Sequence, residues 1–417
     1  MSSISRQARV PEGIELRALK DGEFESFFRA VDFGFGNDTP QGRIDQERRI
    51  FEDDRAFVAL DGDQIVGTTA AQSVPMTVPG GAAVPTAGIA YVGVKPTHRR
   101  RGILRAMMDR QLGESRERGD VLAALWPSET PIYGRFGFGM AVPMEHWSIS
   151  RNHAAFGGAV DFPGRLTIMS PDDALPHMQQ AYEAARPLWP GMLARGDHWW
   201  GFLLADPEHE RHGAGPKVHT VYRDGDVCEG YVTYRINPKE GPTLEIEELV
   251  WKTAEAHRAL WNYCLSVDLM ETIKYWNLPT DDPLPWLLHD SRQLRREPID
   301  GVWVKLMDVP AALAARAYSA DGRIVIRVHD DVSPQKHGRN DGAYRLEADG
   351  DGASCVATTE AADIVLAVAD LAATYLGGVS FTTLRAAGRV EESASGALER
   401  ADAMFAGERM PWCSEEF

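Results

Sequence analysis

The chain has 417 residues, of which 44% are hydrophobic and 25% charged, a globular balance with length for about three domains of roughly 150 residues each. Its net charge of −17 argues against general binding of nucleic acid or an anionic membrane, both of which would repel it, and favours cations such as polyamines and amine-rich small molecules. Four cysteines without a Cys-x-x-Cys pair, no signal-like apolar run at the N-terminus and no stretch near the roughly 20 apolar residues of a membrane span give the expectation of a soluble cytoplasmic protein without disulfides. Export without a signal peptide stays open.

In chain order, "AFVAL" (56–60) and "IVGTTAA" (65–71) flank "DGDQ" and read as a hairpin. A short strand "VPMTV" and the breaker "PGG" follow, then "AGIAYVGVKP", a strand of small and β-branched residues. From Gly102 the period changes: Leu104, Met108 and Leu112 recur every four residues among charges, which predicts an amphipathic helix. "DVLAALWP" and "AVPMEHWSIS" return as strands, so residues 1–150 form an α+β unit. The frame "DGDQIVG" (61–67) recurs as "DGDVCEG" (224–230), each between apolar strands and each followed by a strand and a helix. The matching order predicts a duplicated domain over 151–297 whose copy lacks the Arg-Arg-x-Gly of the first. Pro279, Pro283, Pro285 and Pro298 mark an inter-domain stretch. Residues 298–417 then read as a third α+β domain: "VWVKLMDVPAALAARAY" as strand and helix, three short strands, "ADIVLAVADLAATYLGG" as a helix closed by glycines, and a last helix "GALERADAMFAGERM".

The strongest chemical signal is "VGVKPTHRRRGILRAM" (92–107). A strand ends at Val94, and a basic loop leads through Gly102 into the helix. A helix start presents unpaired N–H groups and the positive end of the dipole, an anion site suited to phosphate. Arg99, Arg100, Arg101 and Arg105 add bidentate donors, which a solvated basic turn does not explain in so acidic a chain. A Gly-Lys-Ser/Thr phosphate loop and a G-x-G-x-x-G fingerprint are both absent, against a P-loop nucleotidase or a dinucleotide dehydrogenase.

This segment resembles the Arg/Gln-x-x-Gly-x-Gly/Ala motif of the GNAT superfamily of acetyl-CoA-dependent N-acetyltransferases, with Leu104 where Gly or Ala is usual. Together with "SETPIYGRFGFG" (128–139) it is similar to the enhanced intracellular survival (Eis) family, where that leucine is normal. The resemblance implies an α+β fold of two GNAT-like domains, the second without the CoA motif, followed by a sterol-carrier-protein-like domain. It also implies acetyl-CoA as co-substrate, contacted by Val92, Gly93 and Val94 on the strand, by Arg100, Arg101, Gly102, Ile103, Leu104 and Arg105 at the helix start, and by Ser128 and Glu129. The implied acceptors are amine-bearing small molecules of aminoglycoside type, acetylated at several positions, and protein lysines; the implied assembly is a homo-hexamer.

Acetyl transfer to an amine requires a base for the ammonium and an acid for the departing thiolate. Tyr133, in "PIYGRFGFG", is the candidate acid and matches the family's acid. The strand "AGIAYVGV" holds no carboxylate, histidine or cysteine, so the base must come from elsewhere. In the family it is the α-carboxylate of a terminal phenylalanine, and this chain ends in Phe417. His98 reads as a loop or phosphate-side residue. "PEHERH" (207–212) and the segment His329 to His337 fit no closed zinc spacing, so no metal is expected. Asp32, Glu415 and Glu416 are candidates for an acidic amine pocket. Two rival readings are a lipid or apolar-ligand binder acting through the third domain, and an enzyme using a larger acyl-CoA.

Overall fold

The computed structural model describes residues 10–417 except 38, 160, 240 and 332–338. His337 therefore lies outside the described residues. Three larger sheets and a two-stranded one, Met76–Thr77 with Ala83–Val84, organise them. The first runs Ile14–Ala18, Ala56–Asp61, Gln64–Ser73, Thr86–Val94, Leu122–Leu125, Trp303–Leu306, Gly139–Met140. The second runs Arg165–Met169, Val218–Asp224, Val227–Asn237, Thr243–Trp251, Thr272–Pro279, Pro143–Ser150, Arg295–Asp300. The third is a five-stranded sheet of residues 322–392.

The first five strands of the two large sheets follow one plan. Three antiparallel pairings lead to a central strand, which pairs in parallel with the strand after the crossing helix. The repeated glycine of the Asp-Gly-Asp frame has one role in both copies. A methyl group at Gly67 would meet Met107 Sδ at 2.9 Å, and one at Gly230 would meet Leu260 Cδ1 at 3.0 Å, so each crossing helix (Ile103–Glu117, Ala254–Ser266) packs directly on a bare strand.

Two strands cross between the sheets. Pro143–Ser150, which the sequence groups with the first unit, pairs with Thr272–Pro279 in the second sheet. Trp303–Leu306, grouped by sequence with the third unit, pairs with Leu122–Leu125 in the first. Each occupies the place beside the strand that follows the crossing helix, so the large sheets exchange equivalent strands. The proline-rich stretch 279–298 is part of the second sheet and not a linker: it contains the end of one strand, the turn of helix Leu284–Leu287 and most of Arg295–Asp300.

In the third unit, "ADIVLAVADLAATYLGG" divides into the strand Ile364–Ala367 and the helix Val368–Thr374 instead of forming one helix, because Ile364–Ala367 pairs in parallel with Ile326–His329. Its core is continuous with that of the first sheet: Leu122, Ala124, Val304 and Leu306 cluster with Ile324, Ile326, Leu371 and Phe405. The third unit is thereby welded to the first, which matters for where its last residues go.

Candidate active site

The central strand of the first sheet pairs in parallel with Leu122–Leu125 only over Thr86–Gly88. Beyond Gly88 the two strands part. At the parting, Tyr91 holds φ 55°, an uncommon conformation for a bulky residue, and the register to the other neighbour shifts between Thr68 and Ala70. Val92, Gly93 and Val94 stay half-exposed along the open edge. The strand then runs into the arginine loop, where Arg100 (φ 63°) and Gly102 (φ 89°) both take left-handed backbone, turning the chain so that Ile103 begins the helix. Among the described residues no side chain caps that helix start. Arg100 and Arg101 are exposed, and Arg105 lies 5.7 Å over the Phe136 ring. Ile103 is buried in the core and Leu104 is half-buried against it.

The second copy shows the same places closed. Gly67 and Gly230 pair with Val94 and Trp251, which makes Leu249 the counterpart of Val92. Leu249 N–H donates to Tyr275 Oη at 3.0 Å, and Trp276 Nε1 donates to Glu247 O at 2.9 Å, so side chains of the diverging strand occupy the edge. Its helix start is capped by Thr253, whose hydroxyl accepts from Ala256 N–H at 3.3 Å. An extended amide-bearing ligand and its phosphates have an open strand edge and an uncapped helix in the first copy, and neither in the second.

Where the first sheet's strands part, a cavity of about 720 Å³ opens, the size of a small-molecule site. Val92, Ser128, Tyr133 and Phe417 all line it, so the proposed acid, the proposed base and the strand edge share one space. Glu129 is exposed beside it, at the start of the short helix Thr130–Tyr133. The Tyr133 phenol is 5% exposed; burial lifts it above its ordinary value, its hydrogen bond with Ser128 works in the opposite direction, and Glu129 adds to the rise. It therefore keeps its proton near neutrality.

Phe417 reaches the cavity through a tail anchored at each step. Trp412 is fully buried against Trp189 and Trp251, with ring centroids at 5.4 and 5.6 Å; its N–H donates to Pro190 O at 2.8 Å and its Nε1 to Asn277 Oδ1 at 3.1 Å. Asn277 Nδ2 in turn donates to Cys413 O at 2.7 Å. Glu415 does not line the acidic pocket. It turns inward, where it accepts from Arg195 Nε at 2.8 Å and from Tyr182 Oη at 3.2 Å, while Arg195 also engages Glu248 and lies 3.7 Å over the Tyr182 ring. The alternation of an extended tail sends Glu416 the other way, to the cavity with Phe417. The Phe417 ring then lies on the central strand: a methyl group added at Gly88 would come within 2.7 Å of Phe417 Cδ2.

The second sheet and third unit thus hold a tail whose end lies in the cavity of the first sheet. Sequence reasoning named Phe417 but missed Arg195, Asn277 and Gly88. Gly88 carried a faint signal, a glycine inside an otherwise buried strand.

The cavity also gathers Asp32, Glu47, Asp300 and Glu416 against Arg43 and His146. Glu47 accepts from Tyr91 Oη at 2.8 Å. His98 is elsewhere, its Nε2 3.1 Å from Asp61 Oδ2 on the outer side of the loop. Among the described residues no group of three or more His, Cys, Asp or Glu is arranged to hold a metal, and no helix is long and apolar enough to cross a membrane.

Comparison with known proteins finds three domain families along the chain. Residues 15–141 and 191–306 each match an acetyltransferase (GNAT) domain family, and residues 309–414 match a sterol carrier protein domain. An uncharacterized N-acetyltransferase of Streptomyces avermitilis is 38% identical over 416 residues, 97% of this chain and 99% of that one. The N-acetyltransferase Eis of Mycobacterium tuberculosis is 35% identical over 381 residues, 87% of this chain and 89% of its own. The crystal structure of Eis1 from Mycobacterium abscessus superposes with a TM-score of 0.81 at 33% identity, covering 97% of this chain and 100% of that one.

Proposed function

The chain belongs to the Eis family of GNAT N-acetyltransferases, and from that premise we propose that it moves the acetyl group of acetyl-CoA to amines of cationic small molecules, including aminoglycosides and exposed protein lysines. The observation that carries this reading is the convergence of Tyr133 and the chain's own last residue in one acidic cavity at the open edge of the first sheet.

Each part has a physical role. The backbone of Val92, Gly93 and Val94 offers amide and carbonyl groups to the extended arm of the donor, as an added strand would. The uncapped helix start at Gly102–Arg105 and the flanking Arg100 and Arg101 meet its phosphates. Ser128 lines the cavity with Tyr133, and Glu129 sits at the rim. The cavity's carboxylates attract an ammonium-bearing acceptor.

The acceptor amine, which like a lysine titrates near 10.4 or about that value, arrives protonated. The α-carboxylate of Phe417 takes that proton, directly or through one water. The free amine attacks the thioester carbonyl; a C–N bond forms, the C–S bond breaks, and the nitrogen sheds its surplus proton to solvent. The thiolate leaves with the proton of Tyr133, which solvent replaces. An α-carboxyl is a weak base, ordinarily titrating at about 3.3–3.7, so its contribution rests on fixed position more than on basicity. The buried tail supplies that fixity.

The test is a thiol-release assay with acetyl-CoA against a panel of amines, including an aminoglycoside and a lysine peptide. Release with polycationic amines is expected. No release with any amine, in a protein that binds acetyl-CoA, would overturn the reading. The family relationship also favours a homo-hexamer, which light scattering reads directly.

A further inference from the structure

The second sheet has two unlike faces. Trp147, Ile149, Leu244, Ile246, Ile273 and Tyr275 are buried in the core with the helices Pro171–Ala185 and Ala254–Ser266. By the alternation of a strand, His146, Ser148, Lys274, Trp276, Arg295 and Glu297 take the opposite face, where a groove of about 560 Å³ opens. His146 and Trp276 line both this groove and the acceptor cavity, so the two adjoin. The transfer chemistry makes no use of the groove.

Strand register orders its charges. Lys274 and Arg295 both pair with Ser148, one from each side, so the three form a row with the two cations about 9.5 Å apart across two strand spacings. His146, paired with Glu297, starts the next row on the same face, about 7 Å nearer the cavity. Two acids of this face are engaged, Glu247 by Arg235 and Lys217 and Glu245 by the Asn237 amide at 3.1 Å. Lys274, Arg295 and Glu297 are exposed and have no ion-pair partner among the described residues. Two free cations one row beyond an acidic cavity make a dipolar track, suited to an ammonium at one end and a carboxylate at the other. An extended polypeptide matches that spacing, because a side chain two residues from a lysine points the same way at about 7 Å. We propose that the groove docks the acceptor segment of a protein, seating an acidic side chain two residues from the target lysine on Lys274 and Arg295 while the lysine enters the cavity. The inference rests on the N-acetyltransferase reading of the cavity and specifies the polypeptides among its acceptors.

The probes are two peptides with blocked ends, Gly-Glu-Gly-Lys-Gly-Glu-Gly and its counterpart with glutamine for both glutamates, compared by kcat/KM in the thiol-release assay. The wild-type protein should favour the acidic peptide about threefold or more, the scale of two partly exposed ion pairs. Lys274→Gln with Arg295→Gln should bring that ratio to about one, and Lys274→Glu with Arg295→Glu should invert it. Both positions are exposed, and the ratio compares two peptides on one protein, so a change in intrinsic turnover cancels. A wild-type ratio under about threefold, or one that survives the double glutamine substitution, overturns the docking. A smaller assembly of either double variant in light scattering assigns the face to a second copy of the chain and overturns it as well. If no amine is acetylated, the transferase reading fails, and calorimetric titration of both peptides without acetyl-CoA still reads the groove. Binding of the acidic peptide about threefold tighter or more supports the docking, and equal binding overturns it.

Discussion

Replacing Gly88 by Ala tests the seat of the terminal residue without touching the tail. The added Cβ would lie 2.7 Å from both Phe417 Cδ2 and Val74 Cγ2 and 3.0 Å from Phe417 Cε2. Carbon atoms at rest stand about 3.5–4.0 Å apart, so the ring must retreat by roughly 0.8 Å or more. Val74 is itself fully buried and cannot absorb the whole displacement. Overpacking of this kind costs about 1–3 kcal/mol of stability, and a misplacement near 1 Å of a reacting group can lower turnover by about 10²-fold. Gly88 precedes the open edge by four residues, so acetyl-CoA affinity measured by calorimetry should stay within about twofold of wild type. Thiol release should fall by one to two orders of magnitude. The loss should also be non-additive: in a protein already lacking Phe417, Gly88→Ala should add little, since both changes act on one group. Wild-type turnover in Gly88→Ala, or fully additive losses, would refute the placement of the carboxylate.

Tyr133→Phe should cut kcat by about 10²- to 10⁴-fold, the range of a general acid, with acetyl-CoA binding retained; because burial raises the phenol above its ordinary value of 10.0, wild-type activity should show no loss from this group as pH rises from 7 to 9 and should increase as the acceptor amine deprotonates. Gly102→Ala forces a left-handed backbone on alanine (φ 89°), a strain of about 1–2 kcal/mol, and calorimetry should show acetyl-CoA binding weakened by up to about thirtyfold with kcat at saturation nearly intact. Arg195→Met strands Glu248 and Glu415 in the interior; it should destabilise by about 3–5 kcal/mol, seen as a lower melting temperature that Glu415→Gln in the same protein partly restores.

The site was legible where the chemistry lies in one short segment. The arginine loop and Gly102 announce themselves by local composition, whereas the roles of Tyr133 and Phe417 came from the family resemblance, helped for Phe417 by the absence of a base on the strand 87–94. The repeated Asp-Gly-Asp frame was legible because each copy needs a bare glycine under its helix. What escaped depended on partners far apart in sequence. Nothing in "VWVKL" tells that it pairs with residues 122–125 and not with the strands that follow it. Glu415 and Glu416 are adjacent and chemically alike, and only the direction of an extended backbone sends one to Arg195 and the other to the cavity. Glu47 gave no local sign, because its environment is made by Tyr91 on a strand 44 residues away. The second copy's missing arginine motif was legible, but not that Thr253, Tyr275 and Trp276 close its helix start and strand edge.

The proposed base is the least conventional element of the proposed site, and one extra residue reaches it. Adding a single glycine after Phe417 converts the terminal carboxylate to a peptide group while leaving the ring and the anchors at Trp412 and Glu415 in place. Turnover in the thiol-release assay should drop by at least about 10²-fold with acetyl-CoA affinity unchanged. Full turnover by the extended protein would show that another group takes the proton.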